Sequence, residues 1–283
     1  MKRLFALVGL FLILFSGCTP WEESADIAAT TLPVYEFTTR LCDGTGLTVT
    51  RLVTESVSCL HDYSLNVRQV RAAEAADVIV ISGAGLEDFM ADLLLGKSAI
   101  DSSCGIEAPE AEHSGHHHET DAHIWLSPEN AKKMAGNICA GLTEKYPAHK
   151  SSFETNLQTL LADIDALQAY AETQLADLKC RELITFHDGF GQLAHAFDLT
   201  ILAAVEEESG SEASAQELKA LIQLVREHDL PAIFTEQNGS ASAAGIIAAE
   251  TGVKICTLDM AMSGESWLGA MYQNIDTLKE ALG

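Results

Sequence analysis

Residues Ala148 to Lys179 read AHKSSFETNLQTLLADIDALQAYAETQLADLK, with no glycine or proline anywhere in the stretch. Phe153, Leu157, Leu160, Leu161, Ile164, Leu167, Leu175 and Leu178 recur mainly at three- and four-residue steps, the spacing that puts apolar side chains on one face of a helix. A helix over 148–179 would be roughly 45 Å long at about 1.5 Å per residue. That is enough to cross two lobes as a rigid strut. An ordinary core helix or a coiled-coil arm has the same periodicity, so the flanking sequence must decide.

On both sides of this helix, short apolar runs alternate with helical patterns. Upstream, 27–31, 47–53 and 78–82 read as strands and 33–44, 66–75, 87–95 and 128–145 as helices, the last with Ser127 as cap and Pro128 in its first turn. Downstream, 182–186, 200–205, 232–235 and 254–258 read as strands. The helices there fall at 189–197, 214–228, 241–250 and 266–281, with Ser214 and Glu217 spaced as a capping box. This alternation predicts parallel sheets covered on both faces. The expected fold class is therefore α/β: two parallel-sheet (βα)4-like lobes, 26–147 and 180–283, joined by a long rigid connector helix over 148–179. Ligands in such sheets bind at the carboxyl ends of the strands, which places the expected site in the interlobe cleft.

The first residues predict export. Lys2 and Arg3 precede an apolar run from Leu4 to Phe15, too short to span a bilayer as a helix. The run ends Phe15-Ser16-Gly17-Cys18, which resembles a bacterial lipoprotein cleavage box with Phe15 in place of the usual Leu. The expectation is a signal peptide over 1–17 and lipid on Cys18, with 18–25 as a tether holding the protein to the outward face of the cell membrane, in the periplasm or at the cell surface. The remaining chain is long enough for two lobes with their own cores.

A formal net charge of −24 argues against nucleic-acid partners and attracts cations from a distance. Besides Cys18 there are Cys42, Cys59, Cys104, Cys139, Cys180 and Cys256, with no CxxC. Outside the cytosol these read as disulfide candidates whose pairing the sequence leaves open. Cys59, two residues before His61, is a minor ligand candidate.

Three histidines share one setting, each following an apolar or extended run and preceding polar or turn residues. They are His61 in CLHDYSL, His123 in DAHIWL and His187 in ITFHDGF. Asp259 closes the last apolar run in CTLDM in the same way. Three neutral imidazoles and a carboxylate make a tetrahedral shell suited to Zn²⁺. Glu236 is a candidate alternate ligand or second-layer acceptor. The polar tract before His123, with His113, His116, His117 and His118, is an accessory loop able to catch a borderline-soft cation loosely. His149, His195 and His228 read as surface residues.

HDYSL at 61–65, AADVIVISGAGLE at 75–87, HIWLSPEN at 123–130, FHDGF at 186–190 and IFTEQ at 233–237 together resemble the zinc/manganese-binding substrate receptors of ABC importers (cluster A-I), and most closely the zinc members. The resemblance runs in order along nearly the whole chain beyond the signal peptide. It implies the two-lobe fold with a helical strut and a cleft metal site at His61, His123, His187 and Asp259. It also implies a cognate ABC permease with its ATPase as partner, and a binding protein rather than an enzyme, acting as a monomer.

Departures from the family are Leu60, where some zinc members carry an acid, Gly189 in place of Ala, and Gln192 in place of an aromatic. The last two suggest looser packing under His187. A histidine at 187, where manganese members often have a carboxylate, favours Zn²⁺ over Mn²⁺. Readings kept beside this one are a manganese or iron receptor of the same family, a zinc-dependent hydrolase, since three histidines and water also form a catalytic shell, and an adhesin on the same fold.

Overall fold

The computed structural model describes residues 25–57, 60, 63–107, 121–205, 213–237 and 242–283. The leader and Cys18, Cys59, His61 and the histidines at 113 and 116–118 lie outside the described residues. In the first lobe β1 (Ile27–Ala29) leads into α1 (Leu32–Leu41) and β2 (Val49–Arg51) into α2 (Val67–Ala75). Next, β3 (Val78–Ile81) passes through a 3-10 turn at Asp88–Met90 into α3 (Ala91–Leu94), and β4 (Ala99–Asp101) precedes α4 (Pro128–Lys145). After α5 (Lys150–Gln174) the second lobe runs β5 (Glu182–Thr185), α6 (Gly191–Ala196), β6 (Thr200–Ala204), α7 (Ala215–Glu227), β7 (Ala232–Glu236), α8 (Ser242–Thr251), β8 (Lys254–Leu258) and α9 (Trp267–Leu282).

Each lobe has one four-stranded sheet, ordered β2-β1-β3-β4 in the first and β6-β5-β7-β8 in the second, with every strand pair parallel. Successive side chains on a strand point to opposite faces, and in the central strands β1, β3, β5 and β7 both faces are buried. Ile27, Ala29, Val78 and Val80, with Leu183, Ala232 and Phe234 of the other sheet, point into one core shared by the lobes. The intervening Ala28 and Ile79 face the outer helices of the first lobe, and Ile184 and Ile233 those of the second. This explains why the strands read as continuous apolar runs rather than alternating ones.

The helix α5 lies at the centre of the shared core, packed against α1 and α4 of the first lobe and α9 of the second. Its Phe153, Leu160, Ile164 and Leu167 are fully buried. It is shorter at both ends than the expected 148–179, about 38 Å at about 1.5 Å per residue. Pro147–His149 forms a separate 3-10 turn before it. At the other end the Arg181 guanidinium donates to the Leu175 carbonyl at 2.8 Å, and the amides of Lys179 and Cys180 donate to Leu282 O at the end of α9. Those donors leave the helix for the second lobe, so the helix stops.

Local signals set the other helix starts. Asn66 and Gln69 form a reciprocal capping box on α2, Ser214 and Glu217 another on α7, and the Ser127 hydroxyl accepts from the Asn130 amide on α4. Two elements differ from expectation. Strand β4 is three residues long with only its middle residue buried, so it carries no apolar run. The region 87–95 is not one helix, because Glu87 is turned inward. Its carboxylate accepts from Thr30 Oγ1 at 2.6 Å, Ser82 N at 2.7 Å and Gly83 N at 2.9 Å, fixing the turn after β3, where Gly83, Ala84 and Gly85 all have positive φ. Burial pushes the Glu87 carboxyl up to about 7, with the three donors opposing the shift. The five described cysteines, Cys42, Cys104, Cys139, Cys180 and Cys256, are free thiols, so the expected disulfides do not form among them.

Candidate metal centre

The order of the second sheet reverses between β5 and β7, the neighbouring central strands, and a crevice opens beyond their carboxyl ends at such a point. His187 stands two residues past β5, and Glu236 is the last residue of β7. The backbone between them is tied by Phe186 N donating to Phe234 O at 2.9 Å. Both side chains are buried, His187 to 6% exposure and Glu236 likewise. The branch of the first lobe that faces them carries His123, 5% exposed, at the entry to the 3-10 turn Ile124–Leu126 that feeds α4.

His123 and His187, from different lobes, meet edge to face with ring centroids 5.4 Å apart and planes at 88°. Two imidazoles bound to one Zn²⁺ through nitrogens about 2.0–2.1 Å from the metal, at a tetrahedral angle, have ring centres about 5 Å apart. The observed pair fits that spacing. Asp121 Oδ1 lies 2.9 Å from His123 Nδ1 and also accepts from the His123 amide at 3.0 Å. A carboxylate acceptor there keeps the proton on Nδ1 and leaves the Nε2 lone pair to donate. Trp125, 5.4 Å away centre to centre, braces the same ring.

Asp259 is the residue immediately after β8. Its backbone is clamped by the fully buried Asn274 of α9, whose Oδ1 accepts from Asp259 N at 2.8 Å and whose Nδ2 donates to Asp259 O at 2.7 Å. Oδ1 of Asp259 accepts from Ala261 N at 2.8 Å. Burial raises the carboxyl above its ordinary value, opposed by the Ala261 amide, so a cation beside it would relieve a desolvation penalty. Among the described residues no three histidine, cysteine or acidic side chains form a ligand cluster, so Asp259 does not join His123 and His187 in one. His61 lies outside the described residues; its neighbour Leu60 is buried in the shared core.

The loops bearing these groups are fastened to each other. The Trp125 indole N–H donates to Met260 O at 2.7 Å, and the Trp267 indole N–H donates to Trp125 O at 3.0 Å. Packing under His187 is tight, contrary to the looseness expected from Gly189 and Gln192. A Cβ on Gly189 would lie 2.6 Å from both His187 Cδ2 and Met260 Cε, so ring and thioether occupy the space an alanine would need. Gln192 is buried and its Oε1 accepts from Asn130 Nδ2 at 3.1 Å, joining α6 to α4. His195 and His228 are exposed and His149 half-buried, away from the paired rings. Asp121 is the site residue that sequence reasoning passed over. The DAH spacing was its only signal, because a carboxylate two residues from a histidine can equally belong to a solvated loop.

Comparison with known proteins bears on the family and the fold. The family model described as ZnuA, zinc-uptake complex component A, periplasmic, matches residues 27–281. Zinc-binding lipoprotein AdcA of Streptococcus pneumoniae serotype 4 is 30% identical over 301 residues, covering 98% of this chain and 60% of AdcA, so the chain spans well under two thirds of that relative's length. High-affinity zinc uptake system protein ZnuA of Bacillus subtilis is 28% identical over 310 residues, covering 99% of this chain and 97% of that protein. A crystal structure of ZnuA superposes with a TM-score of 0.80 at 28% identity, over 92% of this chain and 100% of that one. A two-lobe α/β fold with paired histidines between the lobes, matched by the family model over almost all the described residues, has one conclusion: the chain belongs to the family of the periplasmic component A of zinc-uptake complexes.

Proposed function

We propose that this protein is an extracytoplasmic substrate-binding protein that captures Zn²⁺ in its interlobe cleft and hands it to a cognate ABC permease driven by its ATPase. His61, His123 and His187 supply imidazoles, and Asp259, which does not cluster with the paired rings among the described residues, supplies the carboxylate when the lobes close on the ion, with Glu236 as the alternate acid. The observation that carries the reading is the His123–His187 pair, one ring from each lobe, 5.4 Å apart, with the Nδ1 of one committed to Asp121. Rings presented from separate lobes can be brought onto one ion and released by a small relative motion, and a central helix packed on both lobes limits that motion.

Three nitrogen donors select a borderline-soft ion, so Zn²⁺ is the cargo rather than Mn²⁺. A fourth protein ligand closes the coordination position that a hydrolase would keep open for water, which makes this a binding protein and not an enzyme. The leader and Cys18 support lipid anchoring to the outward membrane face, with 18–25 as tether, 26–147 and 180–283 as lobes and 148–179 as connector; the protein acts as a monomer in this reading. The 113–118 histidines form an accessory capture loop. Elemental analysis of protein purified without added metal, followed by competition between Zn²⁺ and Mn²⁺, tests the reading. One zinc per chain that manganese does not displace is expected; a manganese-loaded protein, or one holding neither ion, would overturn it.

A further inference from the structure

The carboxylate of Asp121 touches both halves of the molecule. Its side chain is 8% exposed and that of His123 6%, so the contact between them is largely shielded from water. One oxygen, Oδ1, takes both His123 donors, the ring Nδ1 at 2.9 Å and the backbone amide at 3.0 Å. The other, Oδ2, points across the seam at Gly191, the first residue of α6 and four residues past His187. A Cβ at Gly191 would lie 2.8 Å from Oδ2, closer than carbon and oxygen can pack. Glycine at 191 therefore admits the carboxylate. Beside this contact, Asn130 Nδ2 donates to Gln192 Oε1 at 3.1 Å, so the seam between the start of α4 and the start of α6 is continuous.

We propose that Asp121 is a positioning residue for metal capture: it fixes His123 with Nε2 free to donate and, by packing on Gly191, ties that ring orientation to contact between the lobes. The proposal rests on the reading of His123 as a ligand. Two physical consequences follow. A carboxylate on the far nitrogen of a ligating imidazole locks the ring's rotation and aims its other nitrogen at the metal. Zn²⁺ with three neutral imidazoles and one carboxylate carries a formal charge of +1, and Asp121 brings the buried assembly to neutrality, which lowers the cost of enclosing it. A Cβ at 191 would displace Oδ2 and turn the carboxylate about Oδ1, the oxygen that makes both bonds to His123, which shifts the ring it holds. Separation of α6 from the first lobe removes the same restraint.

The test is zinc competition against a chromogenic chelator, with Co²⁺ d–d absorption as a readout of ligand geometry, on the full chain and the variants D121N, D121A, G191A, D121A/G191A and H123A. D121N and G191A are each expected to weaken zinc about 10- to 100-fold and to shift the Co²⁺ bands. In the D121A background G191A should change nothing further, since its effect passes through the carboxylate. A Cβ at 191 strains the seam whatever its role, so melting is measured beside affinity; a merely structural role for the seam predicts a lowered melting temperature with unchanged zinc binding by the folded protein. If H123A loses zinc while D121N and G191A bind as wild type does, the inference fails and the ligand reading stands. If H123A itself binds like wild type, the ligand reading fails. A G191A effect of equal size with and without Asp121 would overturn the coupling between carboxylate and lobe contact.

Discussion

The Trp125 indole N–H donates to the carbonyl of Met260 at 2.7 Å, joining the loop two residues past His123 to the loop one residue past Asp259. The bond is buried, since Trp125 has no exposed surface. Trp267 continues the connection by donating to Trp125 O at 3.0 Å and packs edge-on against Phe37 of α1, centroids 4.9 Å apart. Two indoles thus lock the two cleft walls in register, and the candidate ligands inherit that register.

Removing the Trp125 donor should be costly. Trp125→Phe leaves the Met260 carbonyl without its buried partner, a loss of about 1–3 kcal/mol, read as a lowered urea midpoint at unchanged slope. Unchanged stability would mean that the two loops are held together by something else.

The shared core predicts that the lobes unfold as one unit. The α5 residues Phe153, Leu160, Ile164 and Leu167 are all at 0% exposure, while Asn156 Nδ2 donates to Leu41 O and Asp43 O at 2.9 Å each and the Tyr170 hydroxyl donates to Asp276 at 2.6 Å. The first ties α5 to the end of α1, the second to α9. Ile164→Ala should therefore cost about 2–5 kcal/mol and lower a single calorimetric transition. Two resolved transitions, with only one of them moved, would contradict a common core.

Glu87 predicts the pH dependence of stability. Its carboxyl is pushed up to about 7 by burial, from an ordinary value of 4.5. A raised folded-state value means that the folded protein holds the proton more tightly than the unfolded chain. The associated stability is then fully present below about pH 4.5 and is lost as pH rises through about 7. The contribution is on the order of 3 kcal/mol between those limits. Asp26, Glu55 and Glu217, shifted down by hydrogen bonds, act with the opposite sign and only at more acid pH. Urea midpoints at pH 5 and pH 8 should differ more in wild type than in Glu87→Gln; equal differences would show that Glu87 does not titrate in this range.

What the sequence revealed was largely what is local. Caps at Ser127 and Ser214 place their helices to within a residue, because each cap is a hydrogen bond between neighbours in the chain. The buried strands were legible from their apolar runs. Strand β4 was not, since Ala99 and Asp101 are exposed and only pairing with β3 makes it a strand. The end of α5 was hidden for the same reason: Leu282, more than a hundred residues away, takes the amides that would have continued it. At the site, His123 and His187 stood out by their setting at the ends of apolar segments, and the structure brings their rings together. Asp121 did not stand out, because its importance depends on burial and on the absence of a side chain at Gly191, which no pattern in the sequence displays.

The central claim is that one ion is held between the lobes by side chains from both. Zinc affinity and stoichiometry of the full chain, measured by chelator competition beside His61→Ala, His123→Ala and His187→Ala, test it most directly. One tight zinc per chain is predicted, weakened about a hundredfold or beyond by each substitution. Affinity that stays near the wild-type value in all three variants would contradict the account.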